Sequence, residues 1–482
     1  MELPHKPRRD ERFVVRVDDF DDRGDGVGRF DALIGPQKLP MSFTVHVRRG
    51  VPGDEAEVQV GAAHRRRVDT AITDLRVPSP MRITPRCQHF PANEHPGCGG
   101  CSFQSIDFRH QLAVKERRLK RLMSRVKIDP GLVEVVTATS DNGWFYRNKM
   151  EFSFAGNGDE LACGMHPGGW RYEVIDQREC FLMSEFVATL PRLVRDWCAA
   201  RGLDAYRGIS EEGWLRTLTV REGKRTGERM VELMTAHDDG SAERGRAAEA
   251  TARFGDFVQS EFGDEVTSVY WTEQRTVRGE RTTTTEHLLG GRATLREELH
   301  IGARRLSFEI HPRAFFQTNT LGAEILYGMV IEGAALQGDE VALDLYCGTG
   351  TIALCLAPFV KQVVGIELQP DAVDNARENA AANDLHNTAF HAGDVGAVLA
   401  EQQLSADVIV VDPPRKGLLR SAFEQLRTID AGRMVYVSCN PEALAGDLVE
   451  LGRDGWAIQR IRPVDMFPQT AHVEAVVELT RR

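Results

Sequence analysis

The sequence predicts an α/β protein in three parts: a small N-terminal β-barrel, a central α+β region and a doubly wound parallel sheet at the C-terminus. Three observations carry this. Short strands punctuated by Gly and Pro crowd the first 80 residues, apolar strands alternate with helices from about residue 336, and the stretch between follows neither pattern cleanly. The expected boundaries are 1–80, 81–335 and 336–482. A chain of 482 residues, 42% of them hydrophobic, holds enough apolar material for two or three cores.

In the first part, Phe13-Val14-Val15-Arg16-Val17, Thr44-Val45-His46-Val47 and Glu55-Ala56-Glu57-Val58-Gln59-Val60 read as strands, with residues 24–28 as a turn. Val77-Pro78-Ser79-Pro80 through Pro85 reads as a linker. A loop rich in Gly and Pro then places Cys87, Cys98 and Cys101 within fifteen residues. Gly permits the turns that a Cys-x-x-Cys chelate needs, so these thiols can surround one centre, with Cys180 as a distant fourth ligand and Cys163 as its competitor. Four thiolates suit either tetrahedral zinc or an iron–sulfur cluster, and spacing does not choose between them. Cys198 and Cys355 lie in apolar helical surroundings and are expected to be buried fillers.

Residues 109–127 carry eight cations against Glu116 alone. Leu112, Leu119, Leu122, Met123 and Val126 fall on a helical period there, which predicts an amphipathic basic helix, either solvated or in contact with phosphates. In the central region, Arg281-Thr282-Thr283-Thr284-Thr285-Glu286 is expected to be a hairpin tip or loop. The formal net charge of -11 excludes a protein that is basic throughout and coats nucleic acid by charge alone. Yet the first 130 residues hold 24 Lys and Arg against 18 Asp and Glu, a net of +6, leaving -17 for the rest. No run approaches the roughly 20 apolar residues of a membrane span, and neither a membrane nor an obligate protein partner is expected. The location read from the sequence is cytoplasmic, so the nine cysteines are not expected to form disulfides.

The last part places chemistry at strand ends. Residues 340–345 form a buried-strand pattern followed by Tyr346-Cys347-Gly348-Thr349-Gly350 and a helix from Thr351. A second strand, 362–366, ends in Glu367, and further strands recur at 407–411 and 434–438. Ligands of such sheets bind beyond the carboxyl ends of the strands. Gly348 and Gly350 let a ligand approach the backbone, and Glu367 is placed to bind a ribose diol. The turn lacks both the P-loop ending and the full dinucleotide fingerprint, so S-adenosylmethionine fits better than a nucleoside triphosphate or NAD. Asp394 is positioned either to contact the adenine or to cap a helix. Asp412-Pro413-Pro414-Arg415 and Ser438-Cys439-Asn440-Pro441 follow two more strands, and Glu474 begins the last one. A carboxylate, a thiol able to attack an electron-poor carbon, and a second carboxylate thus share one sheet edge.

Together with Phe315-Phe316-Gln317-Thr318-Asn319 and His472-Val473-Glu474, these motifs resemble those of the RNA uracil-5 methyltransferases. The resemblance covers most of the chain and is weakest between about residues 185 and 300. It implies a class I methyltransferase fold for 336–482 and a TRAM, OB-like RNA-binding barrel for 1–80. With both barrel and cysteine loop present, the chain is similar to the branch acting on 23S ribosomal RNA. The resemblance further implies that Cys439 adds to uracil C6 and that Glu474 removes the C5 proton. It places Gln317, Tyr346, Thr351, Glu367, Asp394 and Asp412 around the methyl donor and the base. Arg147-Asn148-Lys149 reads either as part of the active-site wall or as an exposed charge cluster. Finally, the resemblance implies a [4Fe–4S] cluster on Cys87, Cys98, Cys101 and Cys180. Ten residues separate Cys87 from Cys98, more than the family spacing, and the insertion carries His89 and His95, which leaves zinc as the alternative metal. Two other functions fit fewer of the motifs: methylation of an amino group with Cys439 inert, and metal-dependent RNA binding without catalysis.

Overall fold

The computed structural model describes residues 5–34, 37, 39–90, 97–169, 172–208, 211–277 and 279–482; His95 of the cysteine loop lies outside them. Strands β1 (Arg12–Phe20), β2 (Gly26–Ile34), β3 (Leu39–Arg48), β4 (Glu55–His64) and β5 (Arg67–Val77) close a barrel in the order β1-β2-β3-β5-β4, with β4 returning to β1. Period-two alternation turns Phe13, Val15, Val17, Val45, Val47, Val58 and Val60 inward. The sequence reading missed β5, whose inward side chains Val68, Thr70 and Ile72 include a polar one. It also placed the β1–β2 turn too late, because Gly26 and Gly28 already belong to β2.

After the linker come α1 (Phe108–Arg125), capped by Asp107, and the short β6 (Thr137–Ala138). The central region comprises β7 (Lys149–Ala155), β8 (Ala162–Met165), β9 (Ile175–Asp176), α2 (Phe186–Ala199), β10 (Leu215–Glu222), β11 (Arg229–Ala236), α3 (Ala242–Thr251), α4 (Phe254–Phe262), β12 (Ser268–Arg275) and β13 (Thr283–Gly291). Its strands form one sheet in the order β13-β12-β11-β10-β7-β8-β9, and α2 and α4 bury Leu190, Val194, Phe254 and Val258 against it. Of the thread of threonines, Arg281 and Thr282 lie in the β12–β13 connection as expected, but Thr283 onward is strand. Thr283 to Glu286 pair with Glu273 to Arg275 and Thr272 as the sheet's edge strand, a position that accepts polar β-branched residues on its open side.

The hairpin β14 (Leu295–Ile301) and β15 (Arg304–Ile310) leads into α5 (Thr320–Ala334). The last part then alternates β16 (Val341–Leu345), α6 (Thr351–Leu356), β17 (Gln362–Glu367), α7 (Pro370–Ala382), β18 (Thr388–Ala392), α8 (Val395–Gln402), β19 (Val408–Val411), α9 (Arg420–Leu426), β20 (Arg433–Ser438), α10 (Pro441–Arg453), β21 (Trp456–Asp465) and β22 (Glu474–Arg481). Sheet order is β18-β17-β16-β19-β20-β22-β21-β6, with β16 to β20 parallel and β22 antiparallel between β20 and β21. Leu299, Phe308, Leu326 and Val330 share one core with Ala342, Val363, Val410 and Val435, so the hairpin and α5 pack with the sheet that follows them. The strand order reverses at β16, which opens a crevice beyond its carboxyl end. Among the described residues no helix is long and apolar enough to cross a membrane.

Candidate active site

Beyond β16 the chain turns through Tyr346, Gly348 and Gly350, all at positive φ (66°, 54° and 77°). A Cβ on Gly350 would lie 2.9 Å from Ala376 Cβ and 3.1 Å from the Phe390 ring, whereas one on Gly348 would meet nothing within 4 Å. The first glycine thus faces open space and the second lets α6 pack. Gly348 N–H donates to Glu367 Oε2 (3.1 Å) and Gln369 N–H to Oε1 (2.9 Å), which fixes the half-buried Glu367 at the end of the adjacent β17. Asp394 accepts from Ala397 N–H (3.1 Å) and caps α8. The helix-cap role is therefore real, and the carboxylate still lies at the carboxyl end of β18.

The segment before α5 is tied to Asn148 and Arg221 of the central region and to the glycine turn. Gln317 is buried, and its carbonyl accepts from Asn148 Nδ2 (2.8 Å), which also reaches Thr320 Oγ1 (2.9 Å). Arg221 donates to the carbonyls of Pro312 (3.1 Å) and Ala314 (2.5 Å). Thr349 Oγ1 lies 3.3 Å from both Phe315 O and Thr351 Oγ1, joining this segment to the glycine turn. Asn148 thus holds the Gln317 segment, and Lys149 begins β7 near Arg221, Glu151 and Glu232.

Asp412, Cys439 and Glu474 come from the ends of β19, β20 and β22. These strands are neighbours in the sheet, which brings the three residues to one edge. Burial pushes the Glu474 carboxyl up to about 8, with the Asp412 charge adding to it, and burial pushes Asp412 up to about 7. The Cys439 thiol rises to about 11 through burial and the charges of Glu474 and Asp412, with Arg415 opposing. Asn440 ties the two loops together: its Nδ2 donates to Arg415 O (2.7 Å) while its Oδ1 caps α10 through Glu442 N–H (3.2 Å). Glu474 Oε2 and Asp344 Oδ1 are buried without a hydrogen-bond partner, an arrangement that is costly until a ligand group meets it.

Sequence reasoning gave no role to Asp344, Tyr327 or Arg221. Asp344 is fully buried, bonds Ala353 N–H (2.8 Å), and is held well above the usual carboxylate range by burial and then by Asp412. The available signal was an acid inside an otherwise apolar strand, Val341-Ala342-Leu343-Asp344-Leu345. Tyr327 is buried on α5, where burial holds its hydroxyl well above the usual range and the nearby Cys355, Asp412, Glu474 and Asp344 add to this, and no local pattern announced it. The basic helix is corrected in part. Lys115 and Arg118 point inward to Asp465, Phe467 O, Ala471 O and Glu442, Arg121 pairs with Asp19, and Lys120 with Glu116.

Cys87, Cys98, Cys101 and Cys180 line one enclosed, mostly apolar cavity with Phe90, Met150 and Phe181. Cys163 does not line it; it is buried beside Cys198. His89 accepts from Arg178 N–H (3.0 Å) and does not line it either. Burial raises all four thiols, Cys87 to about 12, and Arg147 opposes this at Cys98, Cys101 and Cys180. Among the described residues no group of three or more His, Cys, Asp or Glu is arranged to hold a single metal ion.

A glycine turn at the switch point of this sheet, with acids and a thiol at the neighbouring strand ends, fits a methyltransferase domain; the family description "methyltransferase domain" matches residues 336–456. An RNA methyltransferase of Protochlamydia amoebophila named as uncharacterized is 36% identical over 89% of this chain and 98% of its own length. One of Caldanaerobacter subterraneus is 33% identical over 96% and 97%. The chain belongs to the RNA methyltransferase family. Its fold matches the solved structure of Pyrococcus abyssi tRNA (uracil-54, C5)-methyltransferase in complex with S-adenosyl-L-homocysteine, with a TM-score of 0.69, 26% identity, and coverage of 98% of this chain and 100% of that one.

Proposed function

We propose that this protein methylates C5 of a uridine in RNA, using S-adenosylmethionine as the methyl donor. The observation that carries this reading is the convergence of Cys439, Asp412 and Glu474 from three strand ends on one crevice. Uracil C5 is a poor nucleophile because its electrons are delocalised. Addition of the Cys439 thiolate to C6 moves the C5=C6 pair into an enolate, and C5 then takes the donor's methyl group. Glu474 removes the C5 proton, the pair re-forms C5=C6, and the thiolate leaves. Two separate groups are needed because nucleophile and proton acceptor act on adjacent carbons. Asp412, near neutrality in its titration, donates to the uracil edge in its protonated form.

For the donor, the open face of Gly348 receives its chain, Glu367 takes the ribose, and Asp394 takes the adenine edge, with Gln317, Tyr346 and Thr351 completing the pocket. When bound, the donor supplies an electrophilic methyl. We assign the barrel a TRAM-like role in gripping RNA, and the cysteine cavity a [4Fe–4S] cluster. Four thiols around one cavity are the observation behind this assignment, and zinc is the alternative. Its role is to shape the surface near the substrate, since methyl transfer requires no electron transfer. Iron and sulfide analysis of anaerobically purified protein tests it, and colourless protein with one zinc would overturn it.

The substrate we propose is 23S ribosomal RNA. Transfer RNA is the second reading, favoured by the Pyrococcus enzyme, whose match spans 98% of this chain. Mapping 5-methyluridine in both RNAs from cells with and without the protein separates the two. Cys439→Ala is expected to abolish methylation of that RNA; full retained activity would instead favour an amino-group acceptor.

A further inference from the structure

Glu474 ends a loop that begins at Asp465, and the loop contributes little to its own shape. Thr470 Oγ1 donates to Phe467 O (2.7 Å) and accepts from His472 N–H (3.2 Å). The other fixings come largely from α1 and the residues just before it. Gln111 donates to Gln469 Oε1 (3.0 Å) and accepts from Gln469 N–H (3.0 Å). Lys115 Nζ pairs with Asp465 and donates to Phe467 O (3.1 Å). Arg118 donates to Ala471 O (3.0 Å) and to Glu442 (2.7 Å). Ser102 and Phe103 N–H groups both donate to Gln469 O (2.9 Å each).

Gln111, Lys115 and Arg118 lie at i, i+4 and i+7, one face of the helix, and all three are buried. Burying two cations and an amide on a helix face is a poor route to stability alone, because apolar residues of the same volume stabilise such a contact as well or better. What polar partners add is a unique register. The loop needs one: Gln469 is a buried non-glycine residue at φ 66°, a conformation that persists only where its surroundings hold it.

We propose that Gln111, Lys115 and Arg118 are positioning residues that hold the 465–474 loop so that Glu474 faces C5 of the base attached to Cys439. This rests on the uracil-5 reading above, with Glu474 as the base. Since Glu474 acts after methyl transfer, a displaced loop slows proton removal and leaves the RNA bonded to Cys439.

The test uses the full chain with its mapped substrate RNA and compares Gln111→Leu, Lys115→Met combined with Asp465→Asn, and Glu474→Gln. The combined variant leaves no unpaired buried charge; if it does not fold, Gln111→Leu carries the test. The expected result is kcat lowered about 10- to 100-fold, KM for RNA and donor within about twofold, and a denaturation-resistant RNA–protein adduct that accumulates as it does in Glu474→Gln. Reduced thermal stability with wild-type kcat and no adduct would reduce these residues to a structural role and overturn the proposal. If Glu474→Gln also forms no adduct and Cys439→Ala keeps wild-type activity, the uracil-5 reading itself fails, and the proposal with it.

Discussion

Glu474 carries two burdens that pull in opposite directions. As a proton acceptor it must be ionised, yet burial and Asp412 hold its folded-state value near 8, above an ordinary 4.5. Folding therefore favours its protonated form, and the native state loses stability relative to the unfolded chain as pH rises from about 4.5 to about 8. Glu474→Gln removes that penalty. We expect its apparent melting temperature to exceed wild type by more at pH 8 than at pH 5, while turnover is lost; thermal unfolding at the two pH values checks this. Wild-type turnover should pass through a maximum near pH 7 to 8, because Glu474 and the thiolate gain population as pH rises while Asp412, at about 7, loses its donating form. The positions of the candidate residues are legible because Asp412 and Cys439 follow, and Glu474 begins, an apolar run that marks a strand end at one sheet edge. The burial of Asp344 and Tyr327 near Asp412 is not, since it depends on how β16, β19 and α5 pack, a relation no local pattern encodes.

At the scale of elements, the turn from β16 to α6 shows why two nearby glycines are not equivalent. An added Cβ at Gly350 collides with Ala376 and Phe390, so Gly350→Ala should unfold the domain at lower temperature and lose donor binding with it. At Gly348 the space is open, and the methyl would intrude where the donor approaches. Gly348→Ala should therefore weaken donor binding about tenfold or more, at a stability cost limited to about 1–2 kcal/mol for its positive φ. Calorimetric titration with S-adenosylmethionine beside thermal unfolding separates the two effects. This turn was readable because the strand before it and the acid after it have fixed spacing. The threonine-rich β13 was misread for the converse reason: an edge strand has one open side, so its sequence looks like a loop's.

For the whole molecule, the charge split between the first 130 residues and the rest implied a division of labour, with RNA gripped by the N-terminal part and chemistry done by the C-terminal part. The packing is less separable than that. A Cβ on Gly24, in the barrel's β1–β2 turn, would lie 2.7 Å from the Phe103 ring, 2.9 Å from Ser102 Oγ and 3.2 Å from Ala471 Cβ. Phe20, Val51, Phe103, Ile106, Val114 and Ala471 form one small core, and Asp19 and Asp22 pair with Arg121 and Arg118. The barrel therefore abuts the loop that carries Glu474, and its surfaces should divide into two kinds. Arg65 and Arg66 are exposed at the β4–β5 turn, and replacing both with Ala should weaken RNA binding, lower the slope of log affinity against log salt by about one per lost phosphate contact, and leave kcat unchanged. Gly24→Leu, pressing on Ser102 and Ala471, should lower kcat with the salt slope intact. Binding isotherms across a salt series, paired with turnover at saturating RNA, decide the matter: if both variants altered affinity alone, the barrel would be only a grip, and its contact with the catalytic loop would carry no function.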